Sequence, residues 1–379
     1  MYNIDRKGQG MNQEMLFIKP ASSSCNLDCG YCFYKQDRQG EVCHPVMALE
    51  TLERLIDQSL ENLSHGDSLY LSFQGGEPLL AGLSFYEQLV DYLKMQDKQI
   101  NYHLSFQSNG ILIDDDFCEF FKRENALLGL SLDLDARIHD TYRIDKKGKA
   151  SYNKVLAAKE RLDKAGVDTN IVSVLTPSLA EDPQAVFDYI LENQIRFVQF
   201  IPCIGPVGKQ ADYALSAKQF LSFYQAIIPL WFESFSQGHY ISIKLIDDLY
   251  QYLNHGLVYH CGLNGQCQIQ QVVEANGDIY PCDFYATRQY LLGNIWTKDL
   301  IEMGQSQEAK DFLSEAGPYD ICQSCSYLKL CQGGCKRMKE AMYLEDDVCA
   351  FSDLLDYFIP YITKINQILN EERTLFYGD

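Results

Sequence analysis

Cys25, Cys29 and Cys32 stand in the run SSSCNLDCGYC with C-x3-C-x2-C spacing. Three thiolates on one short loop can hold three irons of a [4Fe–4S] cube and leave the fourth iron without a protein ligand. An open iron suits a chelating molecule that binds the cluster directly; a cluster that only carries electrons is normally closed by a fourth cysteine. Zinc is the other reading of clustered cysteines, although three of them with no histidine nearby make an incomplete tetrahedron.

A second set lies toward the C-terminus. Cys267 is followed by nine residues, Gly277, four residues and Cys282; then come Cys322-x2-Cys325-x5-Cys331-x3-Cys335 and Cys349, with Cys261 six residues ahead of Cys267. Eight of the fourteen cysteines fall in this stretch. They are enough to close two four-ligand [4Fe–4S] clusters, and a pair of zinc knuckles also uses C-x2-C spacing. Of the remaining three, Cys118 lies on an apolar helical face and reads as core, while Cys43 and Cys203 have no ligand-like neighbours.

These residues need a frame. From residue 16 to about 204 short apolar strands alternate with amphipathic helices. Strands are expected at 16–21, 69–74, 102–107, 127–132, 169–175 and 197–203, and helices at 49–63, 84–95, 114–123, 152–165 and 183–193, each with apolar residues three and four apart. Repeated strand–helix units predict a parallel α/β sheet with helices outside, closed or partly closed as a barrel. Chemistry in such folds gathers at the C-terminal ends of the strands, where SSSCNLDCGYC, QGGEP, QSNG, SLDLD and IPCIGP fall. Residues 212–255 read as two helices, and 352–370 as a helix packing back on the body. From Cys261 onward the alternation stops, which suggests a small metal-stapled second domain. The division is placed at 1–240 and 241–379.

Composition narrows the partners. The 379 residues carry 32 basic and 52 acidic side chains, a formal charge of -20. Such a surface repels phosphate backbones and anionic lipid, so nucleic acid and membrane surfaces are poor partners. No signal peptide or apolar stretch long enough to span a bilayer is visible. A cytoplasmic location, where thiols stay reduced, leaves metal as the use for the cysteines.

C-x3-C-x2-C with Tyr31 before its last cysteine resembles the signature of the radical S-adenosylmethionine (SAM) superfamily. The resemblance implies a partial (β/α)6 TIM-like barrel in which SAM chelates the open iron and is cleaved to a 5'-deoxyadenosyl radical. Gly75, Gly76 and Glu77 would meet the SAM ammonium, Ser131 the ribose, Arg143 the carboxylate and Ile204 the adenine. At the fourth strand the superfamily commonly has D-G-P, where this chain has Asp133-Leu134-Asp135. The C-terminal spacing resembles the SPASM domain, named for radical enzymes that modify peptides. That implies two auxiliary [4Fe–4S] clusters, three in all: Cys261, Cys267, Cys282 and Cys335 would hold one, and Cys322, Cys325, Cys331 and Cys349 the other.

KPASSSCNLDCGYCFY, LSFQGGEPLLAGL, VQFIPC and YPCDFY resemble stretches of anaerobic sulfatase-maturating enzymes. Those enzymes convert a cysteine or serine of a sulfatase polypeptide to Cα-formylglycine. The implied chemistry removes a Cβ hydrogen atom, passes a proton to Asp283, and passes an electron to an auxiliary cluster. Tyr34, Gln74 and Gln199 would face the substrate backbone, and a flavodoxin or ferredoxin would be the reductant. A maturase forming crosslinks in a ribosomally made peptide is the rival reading. The 24 residues before Cys25 are too few for the leader-binding domain many such enzymes carry. A multi-cluster electron carrier would be a third, but it has no use for an open cluster.

Overall fold

The computed structural model describes residues 12–37, 46–209, 211–314, 319–339, 343–345 and 348–377; Cys43 lies outside them. Its centre is six parallel strands hydrogen-bonded in chain order: β1 (Gln13–Lys19), β2 (Ser68–Phe73), β3 (Asn101–Ser108), β4 (Leu127–Ser131), β5 (Thr169–Leu175) and β6 (Phe197–Pro202). Side chains alternate across a strand. Leu69, Leu71 and Phe73 of β2, Leu104 and Phe106 of β3, and Leu128 and Leu130 of β4 accordingly enter the core beneath the helices. The opposite face carries Ser72, Gln107, Ser131 and Gln199. That polar inner face is where a site can be built.

The helices follow the expected order: α1 (Leu49–Asn62), α2 (Leu83–Lys94), α3 (Asp115–Arg123), α4 (Ala136–Tyr142), α5 (Tyr152–Ala165), α6 (Pro183–Glu192), α7 (Ala217–Ser236) and α8 (Lys244–His255). In α1, Leu52, Leu55, Ile56 and Ser59 form the buried stripe. Helix α3 starts where the Asp114 side chain accepts from the Phe117 N–H, and ends on Lys122 and Arg123, the charges its terminal dipole favours. Helix α4 was not expected. Cys118 is buried on α3 among the core residues.

The first strand begins three residues before the expected 16–21, because Gln13 to Ile18 pair in register with Ser68 to Phe73. It ends at Lys19 because Pro20 has no N–H to continue a ladder, and the Ser22 N–H turns back onto the Lys19 carbonyl.

Beyond the six strands the sheet grows at both edges. β7 (Ser242–Ile243) lies parallel beside β6; β8 (Val272–Glu274) lies parallel beside β1 and folds back through β9 (Asp278–Tyr280) and β10 (Gly293–Asn294). Among the described residues the order is β10-β9-β8-β1-β2-β3-β4-β5-β6-β7, with the end strands not paired to each other. The barrel is therefore partial. The β8–β9 hairpin had a legible signal in Asn276-Gly277: Gly277 turns with φ +85°, and a Cβ there would lie 2.9 Å from Ile295 Cγ1. A last helix, α9 (Ala350–Tyr377), packs back along α7 with Tyr361 edge-on to Phe232.

Candidate active site and cluster sites

The loop after β1 is held from three sides. The Gly76 and Glu77 N–H groups donate to the Ser22 and Ser24 carbonyls, each at 2.8 Å. Asp28 N donates to Ile144 O at 2.7 Å and Gly30 N to Tyr142 O at 2.9 Å, so the segment bearing Arg143 straps the cysteine loop. Glu77 is fully buried and accepts from Leu79 N, Ser108 Oγ and Asn109 N. Burial raises its pKa to about 7 against these hydrogen bonds. Its carboxylate thus ties the QGGEP and QSNG segments together.

The glycine pair is required by the protein's own backbone. A Cβ on Gly76 would lie 2.0 Å from the Ser24 carbonyl oxygen, and Gly75 has φ +109° with Ser22 O only 2.7 Å from a would-be Cβ. Gly76→Ala must therefore push the loop carrying Cys25 aside. Its expected result is a loss of about one cluster in three, read as iron content after anaerobic reconstitution.

The loop supplies a donor set suited to a cluster. Cys25 Sγ receives Leu27 N at 3.4 Å and Asn109 Nδ2 at 3.5 Å, and Cys32 receives the Tyr34 and Lys35 N–H groups. Backbone donors to sulfur are how proteins tune iron–sulfur clusters. Burial pushes the Cys25 thiol up to about 11, with the Glu77 and then the Cys32 charge adding, and Cys29 to about 12, with the Cys32 and Cys25 charges adding. Arg143 pulls Cys29 the other way. Cationic iron relieves both penalties, so metal loading must expel these protons. Among the described residues no group of three or more His, Cys, Asp or Glu side chains closes around one ion; a cube takes its thiolates on separate irons.

Beside this loop, Arg143 is buried against Asp133, Nε to Oδ2 at 3.1 Å, with Tyr31 Oη donating to the same oxygen at 2.5 Å. Asp133-Leu134-Asp135 divides its work: Asp133 makes the ion pair, Leu134 enters the core, and Asp135 caps α4 by accepting from Arg137 N and Ile138 N. Ser131 Oγ accepts from Gln107 Nε2 at 2.9 Å. Gln107 fits because residue 129 is glycine, whose Cβ would lie 2.3 Å from Gln107 Oε1. Ile204 is buried after β6. Buried polar atoms with no hydrogen-bond partner among the described residues include Asn26 Nδ2, Gln74 Nε2 and Ser173 Oγ. Such orphans fit a bound polar molecule.

Asp283 meets the first strand. Its Oδ1 lies 2.7 Å from Nζ of Lys19, which is 1% exposed, and its Oδ2 accepts from Tyr34 Oη at 2.5 Å. Lys19 also lies 3.7 Å from Glu274 and 4.4 Å from the Tyr34 ring centroid. Burial, then the Asp283 charge, holds the Tyr34 phenol well above its usual range. Lys19 and Glu274 were not legible beforehand: a lysine ending an apolar strand gives no sign of which carboxylate it will meet. Gln74 lies immediately after β2, and Gln199 lies on the inner face of β6. Tyr34 faces Asp283 directly.

The C-terminal cysteines form two groups. After burial, the charges of Asp283, Cys335 and Cys261 raise the Cys282 thiol, those of Cys335 and Cys267 raise Cys261, and that of Cys335 raises Cys267. Cys331 is raised by burial and then by Cys349, Cys322 and Cys325. Gly262 and Gly265 let the loop after Cys261 lie against the Cys331–Cys335 segment: Cβ atoms there would lie 2.7 Å from Cys335 Cβ and 2.4 Å from Cys331 O. Cys322, Cys325, Cys331 and Cys349 line a cavity of ≈ 410 Å³. Cys203 is buried after β6.

Among the described residues no helix is long and apolar enough to cross a membrane. The model of the Radical SAM superfamily matches residues 20–190, and that of an iron–sulfur cluster-binding domain, SPASM, matches 261–326. The chain is 34% identical over 342 residues to a cysteine-type anaerobic sulfatase-maturating enzyme of Clostridium novyi, covering 87% of this chain and 90% of the relative. It is 30% identical over 349 residues to a serine-type anaerobic sulfatase-maturating enzyme of Bacteroides thetaiotaomicron, covering 85% and 82%. Its fold matches the solved structure of native anSMEcpe with bound AdoMet and Cp18Cys peptide at a TM-score of 0.86 and 32% identity, covering 95% of this chain and 99% of that one. With a cluster-bearing partial barrel, a cysteine-rich C-terminal region and relatives this similar over nearly their whole length, the chain belongs to the anaerobic sulfatase-maturating enzymes of the radical SAM superfamily.

Proposed function

We propose that this chain oxidises a cysteine or serine of a sulfatase polypeptide to Cα-formylglycine, with Asp283 as the proton acceptor. The observation that carries the reading is Asp283, a carboxylate from the C-terminal region held by Lys19 and Tyr34 beside the cysteine loop. A base aimed from one region at the radical-generating loop of the other is what this oxidation needs and what an electron carrier lacks.

Cys25, Cys29 and Cys32 would hold the open cluster, and Tyr31, Gly75, Gly76, Glu77, Ser131, Arg143 and Ile204 would build the SAM pocket around it. Arg143 pairs there with the carboxylate of SAM. Bound together, cluster and SAM supply one-electron chemistry that removes a hydrogen atom from the substrate Cβ. The protein's part is positional. Tyr34, Gln74 and Gln199 meet the extended substrate backbone, and Asp283 takes the thiol or hydroxyl proton on its carboxylate; the remaining electron would pass to the inner auxiliary cluster, and for a cysteine substrate water then replaces the sulfur of the thioaldehyde, which leaves as sulfide. Cys261, Cys267, Cys282 and Cys335 hold the inner auxiliary cluster, and Cys322, Cys325, Cys331 and Cys349 the outer one. The catalytic and auxiliary parts divide at about residue 240, the work is done in the cytoplasm, and a flavodoxin or ferredoxin supplies electrons.

The test is anaerobic incubation of the reconstituted enzyme with SAM, a reductant and short sulfatase-motif peptides carrying either cysteine or serine. The expected product has lost the mass that turns the side chain into an aldehyde, and it reacts with a hydrazide. A cysteine-peptide product that keeps its sulfur, loses only hydrogen and gives no hydrazide-reactive aldehyde after incubation in water, as a thioether crosslink would, would instead establish the peptide-crosslinking reading.

A further inference from the structure

We propose that His139 and Ser151 are positioning residues for Arg143, members of a closed ring of buried contacts that fixes where its guanidinium presents itself to SAM. The inference rests on the reading of Arg143 as the partner of the SAM carboxylate.

Each link has a donor and an acceptor. Asp133 N donates to His139 Nδ1 at 3.2 Å. With Nδ1 accepting, the ring proton sits on Nε2, which donates to Ser151 Oγ at 3.0 Å. Ser151 Oγ in turn donates to the Arg143 carbonyl at 2.5 Å. The Arg143 side chain then returns to Asp133, closing the circuit at 3.1 Å through Nε, with Nη2 at 3.5 Å from the other oxygen. All four residues are buried, His139 and Asp133 completely.

The ring is braced from outside. Asp133 Oδ1 also accepts from Val174 N at 2.9 Å, which fixes it to β5. The Ser151 and Tyr152 N–H groups both donate to Asp140 Oδ1, and Tyr152 packs edge-on to the imidazole with ring centroids 5.5 Å apart. Burial and the nearby Arg143 charge lower the His139 pKa to about 4, so the imidazole is neutral near pH 7 and its Nδ1 lone pair stays an acceptor. Asp133 takes the Nε–Nη2 edge of the guanidinium, which leaves the Nη1 corner for a ligand carboxylate. Arginine is long and flexible. Two anchors, one on its carbonyl and one on its side chain, are what hold that corner in place.

The experiment measures the SAM dissociation constant on reconstituted holoenzyme, from the change SAM makes in the electron paramagnetic resonance signal of the reduced cluster. Ser151→Ala and His139→Phe are each expected to raise it about 10-fold with iron content unchanged. The double variant should be no weaker than the worse single, since either change opens the same ring. The KM for the peptide should not move. Arg143→Lys separates the two claims. If Arg143→Lys weakens SAM binding while Ser151→Ala and His139→Phe leave it at the wild-type value, the ring is overturned and the Arg143 reading stands. If Arg143→Lys leaves SAM binding unchanged, the underlying reading itself fails. Should His139→Phe lose iron, Ser151→Ala decides, because it removes a single oxygen.

Discussion

Asp283→Asn is expected to leave SAM cleavage intact and to lower peptide oxidation by about 100-fold or more, the usual worth of a positioned general base. Asparagine has the shape of aspartate and keeps an oxygen that can accept from Tyr34 or Lys19. It cannot take a proton from the substrate. The substitution also removes the charge 2.7 Å from the buried Lys19 ammonium, which would be costly were Lys19 left alone. Glu274, at 3.7 Å, remains as a countercharge, so the variant should fold and load its clusters. Two products separate the outcomes: 5'-deoxyadenosine measured by chromatography, and formylglycine measured by mass. Normal formylglycine yield would remove Asp283 from the mechanism, and loss of both products would make it a structural residue.

Cys29→Ala is expected to abolish both products. Three thiolates are the minimum that can hold a cube with one open corner, and Cys29 is the middle of the three. Iron should fall by about a third, because the two auxiliary groups draw on other cysteines. Cys118→Ala is the control. That thiol is buried in α3 within the core, so its loss should cost about 1 kcal/mol of stability from the small cavity it leaves, with iron and 5'-deoxyadenosine unchanged. Zinc found in the loop of the wild-type protein, or 5'-deoxyadenosine made by Cys29→Ala, would end the radical mechanism.

Local spacing determined the open cluster and the supply of cysteines for two more, while the cofactor and the reaction were implied by resemblance to a family. The cysteine loop is encoded within eight residues, 25–32, and the strand and helix patterns repeat within windows of similar length. Periodicity and ligand spacing are short-range properties, so they survive without knowledge of the fold. The second-region cysteines were legible in the same way, as was the placement of motifs at strand ends.

Tertiary structure decided which distant groups meet. Tyr34 and Asp283 are 249 positions apart, and Tyr31 and Asp133 are 102 apart; nothing local in either partner names the other. The additional strand β8 pairs with β1 because the chain returns to the sheet, and its three residues are too few to show a period of their own. The same holds for the D-L-D segment, whose three side chains take an ion pair, a core position and a helix cap only once α4 and β5 have closed around it. Lys19 shows the division most plainly. Sequence places it inside an apolar strand expected at 16–21; only the closed fold supplies the two carboxylates that make burying its charge tolerable, because a buried ion is stable only beside its counter-ions.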